Sequence, residues 1–333
     1  MTPERAVAPA VVGGAQRIAR RWLGNTLLWV VIGLAIIATI LSGGIFLNPS
    51  NLVTILFQVS VVAVLAIGET VVILTGGIDL SVGAVVVFSA IVISATSKAQ
   101  SVAFPQTGPI PALVIGLLIG AAVGFANGNI VSRTRIPPFI ATLAMYLLVG
   151  GMSNMVTRGI GVYSDPFFQG IGRLRVGLVP APVIGWILLI VLFHLFLTRT
   201  SLGFKLYAIG GNERASIIAG LDVRRTKIYA YTLCGLLSGV GAVFFLARTG
   251  YAIPSAGSDY LLTSISAVVI AGVSLSGGEG RLSNVFLGII TLAILGNVMN
   301  LMLISPFVQG AVQGALIILA VGINRRLGRA QPN

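Results

Sequence analysis

From Leu27 to Ile323, apolar runs of up to about 23 residues follow one another, separated by only short polar stretches. An α-helix of roughly 20 residues crosses the hydrocarbon core of a bilayer. In lipid every backbone N–H and C=O must be satisfied within the protein, which helices do locally. The runs predict ten spans. The first five are Leu27–Leu47, Leu52–Leu74, Val82–Ser97, Ile110–Val131 and Pro138–Val156. The rest are Val183–Thr198, Ile228–Ala247, Leu262–Ser276, Val285–Leu303 and Phe307–Ile323. The third and eighth are short and adjoin Gly-rich breaks, so nine or eleven helices are the alternatives. Composition excludes the soluble reading: 56% of residues are apolar and 9% charged, against about 25% charged in soluble domains. The fold class is all-α, a polytopic membrane protein of about ten transmembrane helices.

Ten spans put both termini on one side, and basic residues choose the side. With the termini cytoplasmic, sixteen of the 21 Lys and Arg fall in inner segments and five (Lys98, Arg158, Arg173, Arg175, Arg248) in outer ones. Residues 1–26 read as a cytoplasmic segment and not a cleavable signal, being polar, Ala-rich and basic without a short apolar region and small-residue cleavage site. Residues 27–323 form the membrane domain and 324–333 a cytoplasmic tail. The net charge of +13 gathers between spans and lacks interleaved aromatics, so nucleic acid is not a partner. A single cysteine, Cys234, leaves no intramolecular disulfide.

The inner loop 199–227 is expected to hold a short helix, with Asn212 as N-cap, Glu213 in its first turn and Gly220 stopping it. Among the spans, the segment Thr75-Gly76-Gly77-Ile78-Asp79-Leu80-Ser81-Val82-Gly83 is the most informative. Its glycines interrupt the helix, and Asp79 and Ser81 are placed to cap the next one. That fits either a broken helix lining a polar path or a tight turn whose Asp is only a cap. Glu69 lies inside a span, where a carboxyl is costly and usually functional; a hydrogen-bonded structural carboxyl is the other reading. Asn127 and Asn129 fit solute contact or interhelical hydrogen bonds equally, and Asn297 of the ninth span joins the candidate path. Ser276-Gly277-Gly278-Glu279-Gly280-Arg281 echoes Thr75-Gly76-Gly77, a weak sign of duplication of the kind transporters carry. The lone His194 is expected to be packed and hydrogen-bonded.

No catalytic or metal-binding residues are expected. The three lysines follow Ser97, Phe204 and Thr226, so no Gly-Lys phosphate loop exists to hold ATP. One histidine excludes a zincin site, and no nucleophile elbow is present.

Four stretches together resemble the monosaccharide (ribose-permease-like) permease subunits of bacterial ABC importers. They are Ala66–Gly83 around Gly-Gly-Ile-Asp-Leu-Ser-Val-Gly, Ile136–Leu143 (Ile-Pro-Pro-Phe-Ile-Ala-Thr-Leu), Tyr207–Glu213 (Tyr-Ala-Ile-Gly-Gly-Asn-Glu) and Ser276–Gly280. The resemblance runs from about Leu27 to Arg326. It departs at Glu69, where the family more usually has an uncharged residue. The resemblance implies a bacterial inner-membrane permease acting by alternating access and paired with a second copy or a paralogue. It also implies a cytoplasmic ABC ATPase that binds ATP and Mg, and a periplasmic sugar-binding protein; this chain carries no cofactor of its own. Asn212, Glu213, Arg214, Ala215 and Ser216 would then form the coupling helix, and Glu69, Asp79, Ser81, Asn127 and Asn297 the substrate path. The rival reading is a proton-coupled secondary transporter using Glu69 and Asp79.

Overall fold

The computed structural model describes residues 14–97 and 105–329. Residues 1–13, the outer-loop position Lys98 and the last four residues of the predicted tail lie outside the described residues. The first half comprises α1 (Gly14–Leu41), α2 (Pro49–Gln58), α3 (Ser60–Ile73), α4 (Val82–Ser97), α5 (Pro109–Arg133) and α6 (Pro138–Thr157). A small segment follows, with β1 (Val162–Tyr163), α7 (Pro166–Arg173), β2 (Arg175–Val176) and β3 (Val179–Pro180). Then come α8 (Ala181–Arg199), α9 (Ser201–Gly211), α10 (Glu213–Ile218) and α11 (Val223–Thr249). The chain ends with β4 (Tyr251–Ala252), α12 (Gly257–Ile270), α13 (Leu282–Leu301) and α14 (Pro306–Arg329). β1 pairs antiparallel with β4, and β2 with β3.

A helix lies on each of the ten predicted runs. Five of them (α5, α6, α8, α11 and α13) are long and apolar enough to cross a membrane alone, and α2 with α3 makes a sixth, bent by 44°. Three features differ from the sequence reading. The second run is broken at Val59, where no Gly or Pro marks the break in the sequence. The eighth helix starts five residues earlier, at Gly257, and stops at Ile270; Gly272 (φ +78°) turns the chain into the loop that follows. The inner loop 199–227 is mostly helix: Thr200 caps α9 by accepting from the Gly203 N–H at 3.1 Å, and Asp222 caps α11 from Arg225 at 2.9 Å. Of the predicted tail, residues 324–329 continue α14.

α3 and α4 are buried at every residue and form the centre of the bundle. Around them, α5 and α11 pack through a row of glycines four apart: Gly116, Gly120, Gly124 and Gly128. A methyl added at Gly124 would lie 3.1 Å from Gly235 Cα, and one at Gly128 would lie 2.7 Å from Ile228 Cα. Lipid offers no hydrophobic drive for helices to associate, so close backbone approach through small residues supplies the contact instead. That approach presses Asn127 inward, next to the loop between α3 and α4.

Candidate functional site

Asp79 lies in that loop, and its carboxylate organises three elements. Asp79 Oδ1 accepts from the Ser81 N–H at 2.9 Å and from the Ser81 hydroxyl at 2.6 Å. Asn127 of α5 donates through Nδ2 to Ser81 Oγ at 2.8 Å and to Asp79 at 3.2 and 3.4 Å. α4 begins at Val82, one residue after Ser81, so Asp79 closes a turn ahead of the helix. Ser81 stands at the cap position, but its hydroxyl is spent on Asp79. Thr142 of α6 clasps the same loop. Its hydroxyl accepts from the Leu80 N–H at 3.0 Å and donates toward the Pro138 and Ile78 carbonyl oxygens at 2.9 and 3.3 Å. The Tyr231 hydroxyl of α11 reaches the Ile78 carbonyl at 3.2 Å. Asp79, Ser81 and Asn127 are thus brought together in a closed cluster.

Glu69 lies near this cluster, one helix away on α3, fully buried, with neither carboxyl oxygen in a hydrogen bond. Asn297 is elsewhere. It exchanges two amide hydrogen bonds with Asn51, at 2.9 and 3.1 Å, tying α13 to α2. Asn129 bonds its own helix, to the Phe125 carbonyl at 2.8 Å. His194, expected to be packed, is exposed among the apolar side chains of α8.

A second constellation lies at the other end of the same loop. Gly76 (φ +78°), Gly277 (+89°) and Gly278 (+71°) bring two loops against the end of α9. The Gly278 N–H donates to the Leu74 carbonyl at 3.0 Å. A methyl at Gly277 would stand 2.6 Å from Gly76 N and 2.9 Å from Gly210 Cα, and one at Gly278 would stand 2.5 Å from Gly211 Cα. Tyr207 of α9 adds a bond to the Gly280 carbonyl at 3.0 Å. Burial pushes its phenol above the ordinary range against an opposing pull from Arg281, which keeps it a donor. Immediately beyond this junction, Asn212 accepts from the Ala215 N–H at 2.9 Å and starts α10. Glu213 pairs with Lys227 of α11 at 2.8 Å. Arg214 and Ala215 are exposed, Ser216 is buried, and Ile217 and Ile218 stand out, Ile218 at 87% exposure.

Two surface cavities complete the picture. One, of about 440 Å³, lies at the far end of α11 from α10 and is lined by Arg173, Arg175, Arg248 and Gln169. The other, of about 350 Å³, lies between α4, α6 and the start of α12. Neither touches Glu69 or Asp79. Among the described residues, no three His, Cys, Asp or Glu cluster as a metal site would require.

The sequence model of the branched-chain amino acid transport system / permease component family matches residues 51–321. The chain belongs to that family. Within this permease family it is 38% identical to the ribose import permease protein RbsC of Escherichia coli (strain K12) over 326 residues, 95% of this chain and 98% of the relative. It is 33% identical to the fructose import permease protein FrcC of Rhizobium meliloti, over 89% of this chain and 84% of the relative. It is 32% identical to the L-arabinose ABC transporter permease protein AraH of Azospirillum brasilense, over 96% and 92%. No solved structure matches the chain. The permease's Thr142, Tyr231 and Gly210 escaped the sequence reading as site residues. Thr142 and Gly210 stand inside the quoted stretches Ile136–Leu143 and Tyr207–Glu213, so their signal was present; Tyr231 has none.

Proposed function

We propose that this chain is the membrane permease subunit of an ATP-driven importer. It carries a monosaccharide or related small polyol from periplasm to cytoplasm by alternating access, in a bacterial inner membrane. The solute class follows the three relatives, named as ribose, fructose and L-arabinose permeases. In this reading ten helices span the bilayer with both termini inside, and a second copy or a paralogue completes the membrane core. A cytoplasmic ABC ATPase binds ATP and Mg, and a periplasmic sugar-binding protein delivers solute at the arginine-lined face.

The observation that carries the coupling part is the direct contact between α9 and both glycine loops. α10 presents Ile217 and Ile218 to the cytoplasm, where the ATPase would grip them. A push on α10 then reaches Gly210 and Gly211 without slack, and from there Gly76 and the Asp79 cluster. Asp79, Ser81, Asn127 and Glu69 border the path when these loops part, and Asn297 with Asn51 keeps α13 fixed to α2. The proton-coupled alternative draws on Glu69, whose carboxyl lacks a partner; uptake by this chain alone under a proton gradient would favour it.

The test is an Ile218→Asp substitution in the assembled transporter. A charge at the gripping surface should abolish the stimulation of ATP hydrolysis by binding protein and sugar while the permease still inserts and pairs. Full stimulation in that variant would remove α10 from the coupling route.

A further inference from the structure

On α6, Thr142, Tyr146, Gly150, Ser153, Asn154 and Thr157 recur three or four residues apart, which places them on one face of the helix. The opposite face carries Leu148, Met152 and Met155, all at least 38% exposed, while Leu143 and Leu147 flank the stripe and Leu147 joins the cavity wall. A helix wholly embedded in lipid has no use for a polar stripe; polar side chains at membrane depth face a neighbouring helix or a watered cavity. Here the stripe meets the cavity of about 350 Å³, whose wall includes Tyr146, Gly150, Ser153 and Asn154. The opposite wall is Ala84, in the first turn of α4, and Pro254, Ser255 and Gly257 at the start of α12.

Two things mark the cavity as built. Successive glycines inside a helix cost about 1 kcal/mol each relative to alanine. Yet a methyl on Gly150 or Gly151 would meet nothing within 4 Å, so no packing within the chain requires them. They hold space open. Second, α12 has only 14 residues and begins beside Gly83, two residues into α4; a methyl at Gly257 would lie 2.8 Å from the Gly83 carbonyl oxygen. Two short helices therefore start side by side after breaks in the chain, the arrangement that puts solute sites near the bilayer midplane in transporters.

From this geometry we infer that the cavity between α4, α6 and α12 is the transient binding place of the solute, and that it takes a neutral polyhydroxy compound. No charged side chain lines it, which disfavours an ionic solute. Its polar groups are a phenol, two hydroxyls and a carboxamide, which give and accept single hydrogen bonds as sugar hydroxyls do. Tyr146 also offers a ring face for sugar C–H groups. The volume lies in the usual range for small-molecule sites, about 300–1,000 Å³. The lower end of the stripe, Thr142, is bonded to the loop of Asp79, so movement of that loop moves the wall of the cavity. This assignment rests on the importer reading above.

The experiment uses the assembled transporter with its ATPase and binding protein in proteoliposomes, and labelled D-ribose, D-fructose and L-arabinose as probes. Gly150→Leu and Asn154→Leu should cut uptake by about tenfold or more by filling or depolarising the cavity, with assembly and ATP hydrolysis retained. In parallel, Asn154→Cys should react with a small hydrophilic methanethiosulfonate, and the transported sugar presented with binding protein should slow that reaction. Normal uptake in both leucine variants overturns the assignment, and so does loss of uptake together with loss of assembly, which marks a packing face. A cysteine at 154 that hydrophilic reagent cannot reach marks a lipid-facing groove and overturns it equally. Should the unsubstituted transporter carry none of the three sugars, the importer reading fails instead; the labelling of position 154 still reports whether the cavity is watered.

Discussion

Asp79 and Glu69 are both carboxyls buried within the bundle, and their surroundings give them opposite roles. Asp79 has a full set of donors, and Asn at that position can still accept from the Ser81 N–H. Loss of such a cap costs typically about 1 kcal/mol, small for a bundle of this size. Asp79→Asn should therefore keep most sugar uptake and Asp79→Ala should lose most of it while still assembling. Equal loss in both would assign the effect to charge. Neither carboxyl oxygen of Glu69 closes a hydrogen bond, although the Asp79 backbone N–H lies close by. A buried polar group without a partner costs about 1–3 kcal/mol, so Glu69→Leu should raise the thermal midpoint of the purified permease, and Glu69→Gln should leave it nearly unchanged. A lower midpoint for Glu69→Leu would mean that the carboxyl holds a neighbouring helix after all.

At the scale of elements, the junction of α9 with the two glycine loops admits no added atom at Gly210, whose methyl would run into the Leu74 carbonyl oxygen and the Gly278 N–H. Overpacking of this kind costs about 1–3 kcal/mol. Gly210→Ala should separate the loops, lower stability and weaken the sugar-stimulated ATP hydrolysis. Gly211→Ala, whose methyl meets nothing within 4 Å, should leave both unchanged. Equal behaviour of the two variants in both assays would show that backbone contact at Gly210 carries no force. The sequence made part of this legible. Helices follow from apolar length alone, and Asn212 and Asp79 announce their turns because a short polar side chain before a helix has few other uses. The meeting of Gly76, Gly210 and Gly277 was not legible, because it depends on contacts across 67 to 201 positions of chain, and the bend at Val59 was not, because no Gly or Pro marks it. The polar stripe of α6 sits between: its spacing is visible in the sequence, but only the cavity beside it distinguishes a solute wall from an interhelical seam.

The whole molecule is organised along α11, which runs from the α10 end with its exposed isoleucines to the arginine-lined cavity at the other. The proposed orientation puts the first end in the cytoplasm. Cysteine introduced at Ile218 should then be shielded from membrane-impermeant thiol reagents in intact cells, and one at Leu178, 65% exposed in the turn between β2 and β3, should be labelled; the reverse pattern would invert the topology. The measurement that reaches the central claim is accumulation of a labelled monosaccharide in proteoliposomes holding this chain, its ATPase and its binding protein. The account predicts uptake against a gradient that requires ATP and the binding protein and is indifferent to a proton gradient. Uptake that proceeds without ATP and follows a proton gradient would contradict it.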